Sequence, residues 1–239
     1  MLPNKSKAQF DALVEGATIL ESEAGLMKVA RLSGDRIIKL FRRKSLISSQ
    51  LWIPYGLRFK KNADKLRALG IPTIRVDAVF NIPSIDRHAI LYPALPGNSL
   101  RSAQAEAEPD AQQALLEQYA RFVAELHTKG VHFRSLHLGN VLVIEGGRLG
   151  LIDVADMHFR RKRELNLKER CRNFQHITRY QKDIDLLTGA SSPDSFIETY
   201  LQASKVPADQ HEALRAAFHE ACQNPKQKKH VQSRNPQHR

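Results

Sequence analysis

Residues 141–154 read VLVIEGGRLGLIDV, two short apolar runs joined through Gly146-Gly147. That pattern predicts two antiparallel strands, since a glycine pair accepts the left-handed backbone a tight hairpin turn demands. No other segment constrains the chain as much, because of what brackets this one. Asn140 stands immediately before the first strand, and Asp153 closes the second thirteen residues later. An amide oxygen and a carboxylate at the two ends of one hairpin can share a divalent cation, and such hard oxygen donors suit Mg²⁺.

The rest of the pattern says where this hairpin must fit. LMKVARL (26–32) and RIIKLF (36–41), separated by Ser33, Gly34 and Asp35, predict an earlier hairpin. In GLRFKKNADKLRALG, Phe59, Ala63, Leu66 and Leu69 fall at helical spacing, and Gly70 with Pro72 stops the helix. RVDAVF (75–80) and AILYPAL (89–95) read as further strands. From Gln112 to Thr128, apolar positions including Tyr119, Phe122 and Leu126 mark one face of a long amphipathic helix. Residues 158–180 are basic and weakly periodic; Ser192-Pro193 and Pro207 then open two helices. Residues 224–239 lack apolar periodicity and read as a disordered basic tail. The expectation is an α+β chain, strand-rich first and helical later, with a ligand cleft between two lobes.

Composition narrows the chemistry. The chain of 239 residues carries 37 Lys and Arg against 25 Asp and Glu, a formal charge of +12. Eight basic and two acidic residues lie in 158–180, and five basic and no acidic residues in 224–239, so the remainder is close to neutral. The expected partner is therefore anionic and sits beside these two segments. Cys171 and Cys222 cannot form a disulfide framework, and no Cys/His zinc spacing occurs, which fits the reducing cytosol. The N-terminus lacks the apolar core of a signal peptide, and no run of about 18 apolar residues predicts a spanning helix. Trp52-Ile53-Pro54-Tyr55 reads either as core or as a membrane- or partner-facing patch.

Lys39 stands alone among the apolar residues of its strand, where an ammonium can reach bound phosphates. Lysine, Asn and Asp in that order are the phosphate-and-metal apparatus of a protein-kinase-like phosphotransferase. SLHLGNVL (135–142) resembles the D-L-H-x-G-N-I-L catalytic loop of bacterial lipopolysaccharide-core kinases, which phosphorylate Kdo or heptose sugars. LRALGIPT (66–73), YPALPGNSL (92–100) as an interlobe hinge, LIDVAD (151–156) as the metal segment, and RNFQHITRYQKD (172–183) are also similar, the last to members labelled toluene-tolerance or InaA-like proteins. The resemblance spans roughly residues 20–200. It implies a bilobal protein-kinase-like fold, with an N-lobe over about 15–93, a hinge over about 94–98 and a C-lobe over about 99–222. It further implies ATP and Mg²⁺, with Lys39 on the α/β-phosphates, Asn140 and Asp153 on the metal, and the basic run of Arg160, Arg161 and Arg163 on an anionic glycolipid or phosphorylated sugar. The implied place of action is the cytoplasmic membrane face, in peripheral contact with an acidic surface.

Three departures qualify the resemblance. Ser135 occupies the position of the aspartate that orients and deprotonates the attacking hydroxyl, and a serine is no base at pH 7. His137 is the nearest substitute base, with His132 second. Asn62 stands where the helix acid that orients the lysine is expected, and the phosphate loop is reduced to the single Gly25 of ESEAGLMKV. A pseudokinase that binds nucleotide or acts as a scaffold in envelope biogenesis is the alternative. A nucleic-acid-associated protein, supported by charge alone, is a third reading; helix-turn-helix, zinc-finger and RRM signatures are missing, so nucleic acid is not the expected partner.

Overall fold

The computed structural model of the chain describes residues 2–42, 54–161, 163–189 and 194–225. Trp52, the Ser192-Pro193 start signal and the tail from residue 226 lie outside the described residues. In chain order the elements are α1 (Lys7–Leu13), β1 (Thr18–Glu23), β2 (Leu26–Leu32), β3 (Arg36–Arg42), α2 (Tyr55–Ala68), β4 (Ala78–Ile82) and β5 (Arg87–Pro93). There follow β6 (Asn98–Ser99), α3 (Leu100–Glu106), α4 (Pro109–Thr128), β7 (Val131–Phe133), β8 (Val141–Val143), β9 (Leu149–Leu151) and β10 (Met157–Phe159). The chain ends in α5 (Leu167–Ile177), α6 (Gln181–Thr188), α7 (Ser195–Ser204) and α8 (His211–Gln223). This strand-rich first part and mainly helical second part is the expected α+β class.

The chain divides into two compact units, residues 1–103 with 139–159, and residues 104–138 with those from 160 onward. The hairpin after the loop thus groups with the strand-rich unit. That unit is built on an antiparallel sheet of order β1-β2-β3-β5-β4. Alternation along β3 sorts its two faces. Ile38 and Leu40 pack with Ala30, Phe80, Ala89 and Leu91 beneath Phe10 of α1. On the opposite face, Phe59 of α2 lies between Phe41 and Tyr92, with ring centroids 6.1 and 5.9 Å away.

Helix α2 buries Phe59, Asn62, Ala63 and Leu66, positions three and four apart on one face. It ends at Gly70, whose φ of 74° lets Ile71 N–H reach back to the Leu66 carbonyl at 2.9 Å and Gly70 N–H to that of Arg67 at 3.0 Å. The chain leaving this cap runs beside β9. Leu151 N–H donates to the Pro72 carbonyl (2.9 Å), and the Thr73 hydroxyl donates to the Leu151 carbonyl (2.7 Å). On the other side β6 pairs with β8, through Asn98 opposite Val143 and Ser99 opposite Leu142. Gly97 permits that approach, because a Cβ there would sit 2.4 Å from the Val143 carbonyl oxygen.

The second unit packs α4 against α7 and α5 against α8. Its core is aromatic: Phe174 meets Tyr200 and Phe218 edge-on at 5.2 and 5.7 Å, and Phe196 stacks on Phe218 at 5.0 Å. Helix α5 begins with a capping box in which Asn166 accepts from Glu169 N–H and the Glu169 carboxylate accepts from Asn166 N–H, both at 3.0 Å. Cys171 and Cys222 are free thiols. Burial raises both, Cys222 to about 11, so neither is a ready nucleophile.

Candidate functional site

Lys39 and Asp153, 114 residues apart, meet in the strand-rich unit, with Lys39 Nζ 2.7 Å from Asp153 Oδ1. The lysine side chain is 10% exposed and the carboxylate 41%, so a buried cation is neutralised by an anion that still faces solvent. The surrounding strands explain the placement. Lys39 pairs with Val29 and Ile90 in mid-sheet, and β9 delivers Asp153 directly after its last residues. Asp153 has a φ of 55°, a left-handed conformation uncommon outside glycine, asparagine and aspartate.

Asn140 ends the short turn of Leu138–Asn140 that leads into β8. Its carbonyl accepts from Ile152 N–H at 3.0 Å, extending the β8/β9 ladder by one rung beyond Val141 opposite Leu151. Asn140 and Asp153 therefore emerge at the same open end of the hairpin. The Arg101 guanidinium covers the preceding residue; a Cβ on Gly139 would fall 2.5 Å from Arg101 Nη1.

Asn62 sits on α2 and donates through Nδ2 to the carbonyls of Val154 (2.8 Å) and Ala155 (3.2 Å). Its amide thus anchors the backbone that follows Asp153, where the sequence led us to expect a group facing Lys39. Gly25 lies in the two-residue turn between β1 and β2, with Ala24 and Gly25 at φ values of 52° and 75°. Two further residues feel Asp153. Burial and then its charge push the Tyr92 phenol above its ordinary value. Burial pulls the Lys28 ammonium down, but Glu21, Glu23 and Asp153 together hold it above its usual value. One carboxylate, one amide and a nearby lysine are hard-oxygen and phosphate-binding chemistry, and they fit Mg²⁺ carried by a nucleotide. Among the described residues no three His, Cys, Asp or Glu side chains gather as a metal site.

Ser135 and His137 belong to the helical unit. His137 N–H donates to the Ser135 carbonyl (3.0 Å), and its ring meets that of Tyr180 edge-on at 5.0 Å. The backbone entering this loop is held by side chains to which the sequence assigned no role. Asn173 Nδ2 donates to the Phe133 carbonyl at 2.8 Å, Arg179 to that of Arg134 at 2.7 Å, and Tyr119 Oη to that of Leu136 at 3.4 Å.

Behind Asn173 runs a directional relay. Arg170 Nη1 donates to Tyr200 Oη (2.9 Å), which leaves the phenolic proton for His127 Nδ1 (2.8 Å). His127 then donates from Nε2 to Asn173 Oδ1 at 3.0 Å. Burial first, and then the Arg170 charge, pull His127 down to about 3, so the ring stays neutral. Of the basic run, Arg160 is ion-paired with Glu169, while Arg161 and Arg163 are exposed. Lys162 lies outside the described residues.

The family model described as lipopolysaccharide kinase (Kdo/WaaP) family matches residues 62–200, more than half of the chain. That span takes in Asn62, Ser135, His137, Asn140 and Asp153; Lys39 precedes it, so its place beside Asp153 comes from geometry alone. No curated protein matches the chain significantly.

Proposed function

The chain belongs to the lipopolysaccharide kinase (Kdo/WaaP) family, and from that premise we propose that it transfers the γ-phosphoryl group of ATP to a sugar hydroxyl of the lipopolysaccharide core, at the cytoplasmic face of the membrane. The observation that carries this reading is the contact of Lys39 with Asp153, at the open end of the hairpin that Asn140 begins. Lys39 would hold the nucleotide's α/β-phosphates, exchanging Asp153 for them, and Asn140 and Asp153 would hold Mg²⁺. The metal, when bound, supplies positive charge against the phosphate oxygens. The acceptor hydroxyl forms the new bond to phosphorus as the bond to the ADP oxygen breaks, and its proton passes to His137 or to solvent.

Ser135 removes the usual base, which contributes a factor of about 10²–10⁴ where present; positioning and charge supply most of the catalysis in a loose phosphoryl-transfer transition state. The same serine favours a second reading, a pseudokinase that binds nucleotide without turnover. Thermal unfolding with Mg²⁺ and ATP tests the shared part, and the stabilisation should vanish in Asp153→Asn. Phosphate incorporation into isolated core glycolipid then tests the enzyme. Nucleotide binding without incorporation into intact acceptor would refute phosphotransfer and leave the pseudokinase. No helix among the described residues is long and apolar enough to cross a membrane; the reading takes contact with the lipid acceptor to be peripheral.

A further inference from the structure

Helix α5 and the residue pair after it place Arg172, His176 and Arg179 at positions i, i+4 and i+7, on one side of the helix. That side faces the segment running into Ser135. Arg179 Nη2 donates both to the Arg134 carbonyl (2.7 Å) and to His176 Nδ1 (2.9 Å). The His132 ring meets the His176 ring edge-on at 5.7 Å. Three arginines and two imidazoles are thereby gathered around residues 132–134. Because His176 Nδ1 accepts from a guanidinium, the imidazole proton sits on Nε2, which makes the ring a neutral donor. Burial and then the neighbouring Arg179, His132, Arg134 and Arg172 pull His176 down to about 3.

Elsewhere in this unit arginines are matched by carboxylates, as in Arg160 with Glu169, Arg170 with Glu164, Arg121 with Glu117 and Arg215 with Glu198. Among the described residues neither Arg172 nor Arg179 has a carboxylate at ion-pair distance. Arg134 and Arg172 are exposed, so the cluster is open to a ligand from solvent. Guanidinium forks match the oxygens of phosphate in pairs, and an anion beside Arg172 and Arg179 would offset their charge.

We propose that Arg134, Arg172, Arg179, His132 and His176 form a binding site for a phosphate monoester carried by the acceptor, set at the entrance to the loop of Ser135. The assignment of this ligand to the acceptor rests on the phosphotransfer reading; the anion site itself does not. It places acceptor recognition here and not at Arg160, whose guanidinium is taken up by Glu169.

The full chain, without nucleotide, is titrated with inorganic phosphate against chloride at equal ionic strength, following thermal unfolding and the histidine ring signals by NMR. Phosphate should stabilise the protein beyond chloride and raise the His176 pKa. Arg172→Gln, at an exposed position with no hydrogen bond to lose, should weaken phosphate binding about tenfold, the value of one charge-assisted hydrogen bond. Arg121→Gln, whose guanidinium is held by Glu117, should leave it unchanged. Equal effects of phosphate and chloride, or undiminished binding in both Arg172→Gln and Arg134→Gln, would overturn the site. So would loss of binding in Lys39→Met with none in Arg172→Gln, since the ion would then sit with the nucleotide lysine. In the transfer assay Arg172→Gln should raise KM for phosphorylated acceptor about tenfold, with little change in kcat and no change for dephosphorylated acceptor. An unchanged KM for phosphorylated acceptor would overturn the acceptor assignment. Arg172-dependent phosphate binding without any turnover would uphold the anion site while the phosphotransfer reading fails.

Discussion

Acidification should loosen the helical unit through His127, by an amount the relay behind the loop makes calculable. The buried ring has a value of about 3 against an ordinary 6.5. Protonating it in place would put a second donor where the Tyr200 hydroxyl proton already points. The folded value is depressed, so the unfolded chain takes up the proton first. The contribution of His127 is intact above pH 6.5 and lost progressively as pH falls toward 3. Each pH unit inside that window costs about 1.4 kcal/mol for one proton, and between pH 7 and 5 the integrated loss is about 2 kcal/mol. His176 adds in the same direction, discounted for its partial exposure.

Glu117 and Glu198 are held below their ordinary values, Glu117 by hydrogen bonds from Gln113 and Arg121 and Glu198 by that from Arg215, so neither gains a proton between pH 7 and pH 5. The assay is urea unfolding at pH 7 and pH 5, for the wild type and for His127→Gln, which keeps a donor and an acceptor but has no titrating proton. The variant should lose about 2 kcal/mol less than the wild type between the two pH values. Identical losses in both proteins would refute a neutral buried His127.

Other perturbations have equally direct readouts. Asn62→Leu leaves the Val154 and Ala155 carbonyls without their donor and should cost about 2–3 kcal/mol by urea unfolding, with a smaller Mg²⁺-ATP stabilisation. Gly97→Ala forces a Cβ to 2.4 Å from a carbonyl oxygen at a φ of 145° and should cost more than about 2 kcal/mol, whereas Gly146→Ala, open on all sides, should cost only about 1 kcal/mol. A comparable loss at the two glycines would contradict the close approach of Gly97 to β8. Asn166→Ala removes the cap of α5 and should cost about 1 kcal/mol, seen as a lower thermal midpoint.

The elements that sequence made legible are those whose apolar period matches their fate. The hairpin of β2 and β3, helix α2 with its Gly70 stop, helix α4, and the hairpin of β8 and β9 all announce themselves this way. Strand β1 does not, because all six of its residues are exposed at the sheet edge and no alternation is required of them. Helices α5 and α6 were hidden by composition. In 158–180 the basic residues mask an Asn166/Glu169 capping box and a buried Arg170, which is legible only once Tyr200 and Glu164 are seen beside it.

At the site, motif spacing suggested Lys39, Asn140 and Asp153 as partners, and folding brings Lys39 into contact with Asp153. It did not suggest Thr73, Arg101 or Asn173, whose roles depend on backbone carbonyls or glycines far along the chain. Those contacts leave no period and no charge pattern to read.

The amide of Asn62 has a mechanical consequence. A carboxylate at that position would tie α2 to the charge of Lys39, and any ligand drawing the lysine away would release the helix as well. An uncharged latch onto the main chain after Asp153 separates the two. In the phosphotransfer reading Lys39 would trade Asp153 for an incoming anion while Asn62 kept its hydrogen bonds to the segment after the aspartate. On that reading, occupancy of the lysine and the posture of the helix would be independent variables, so this part of the molecule would not need to be rebuilt at each encounter with ligand.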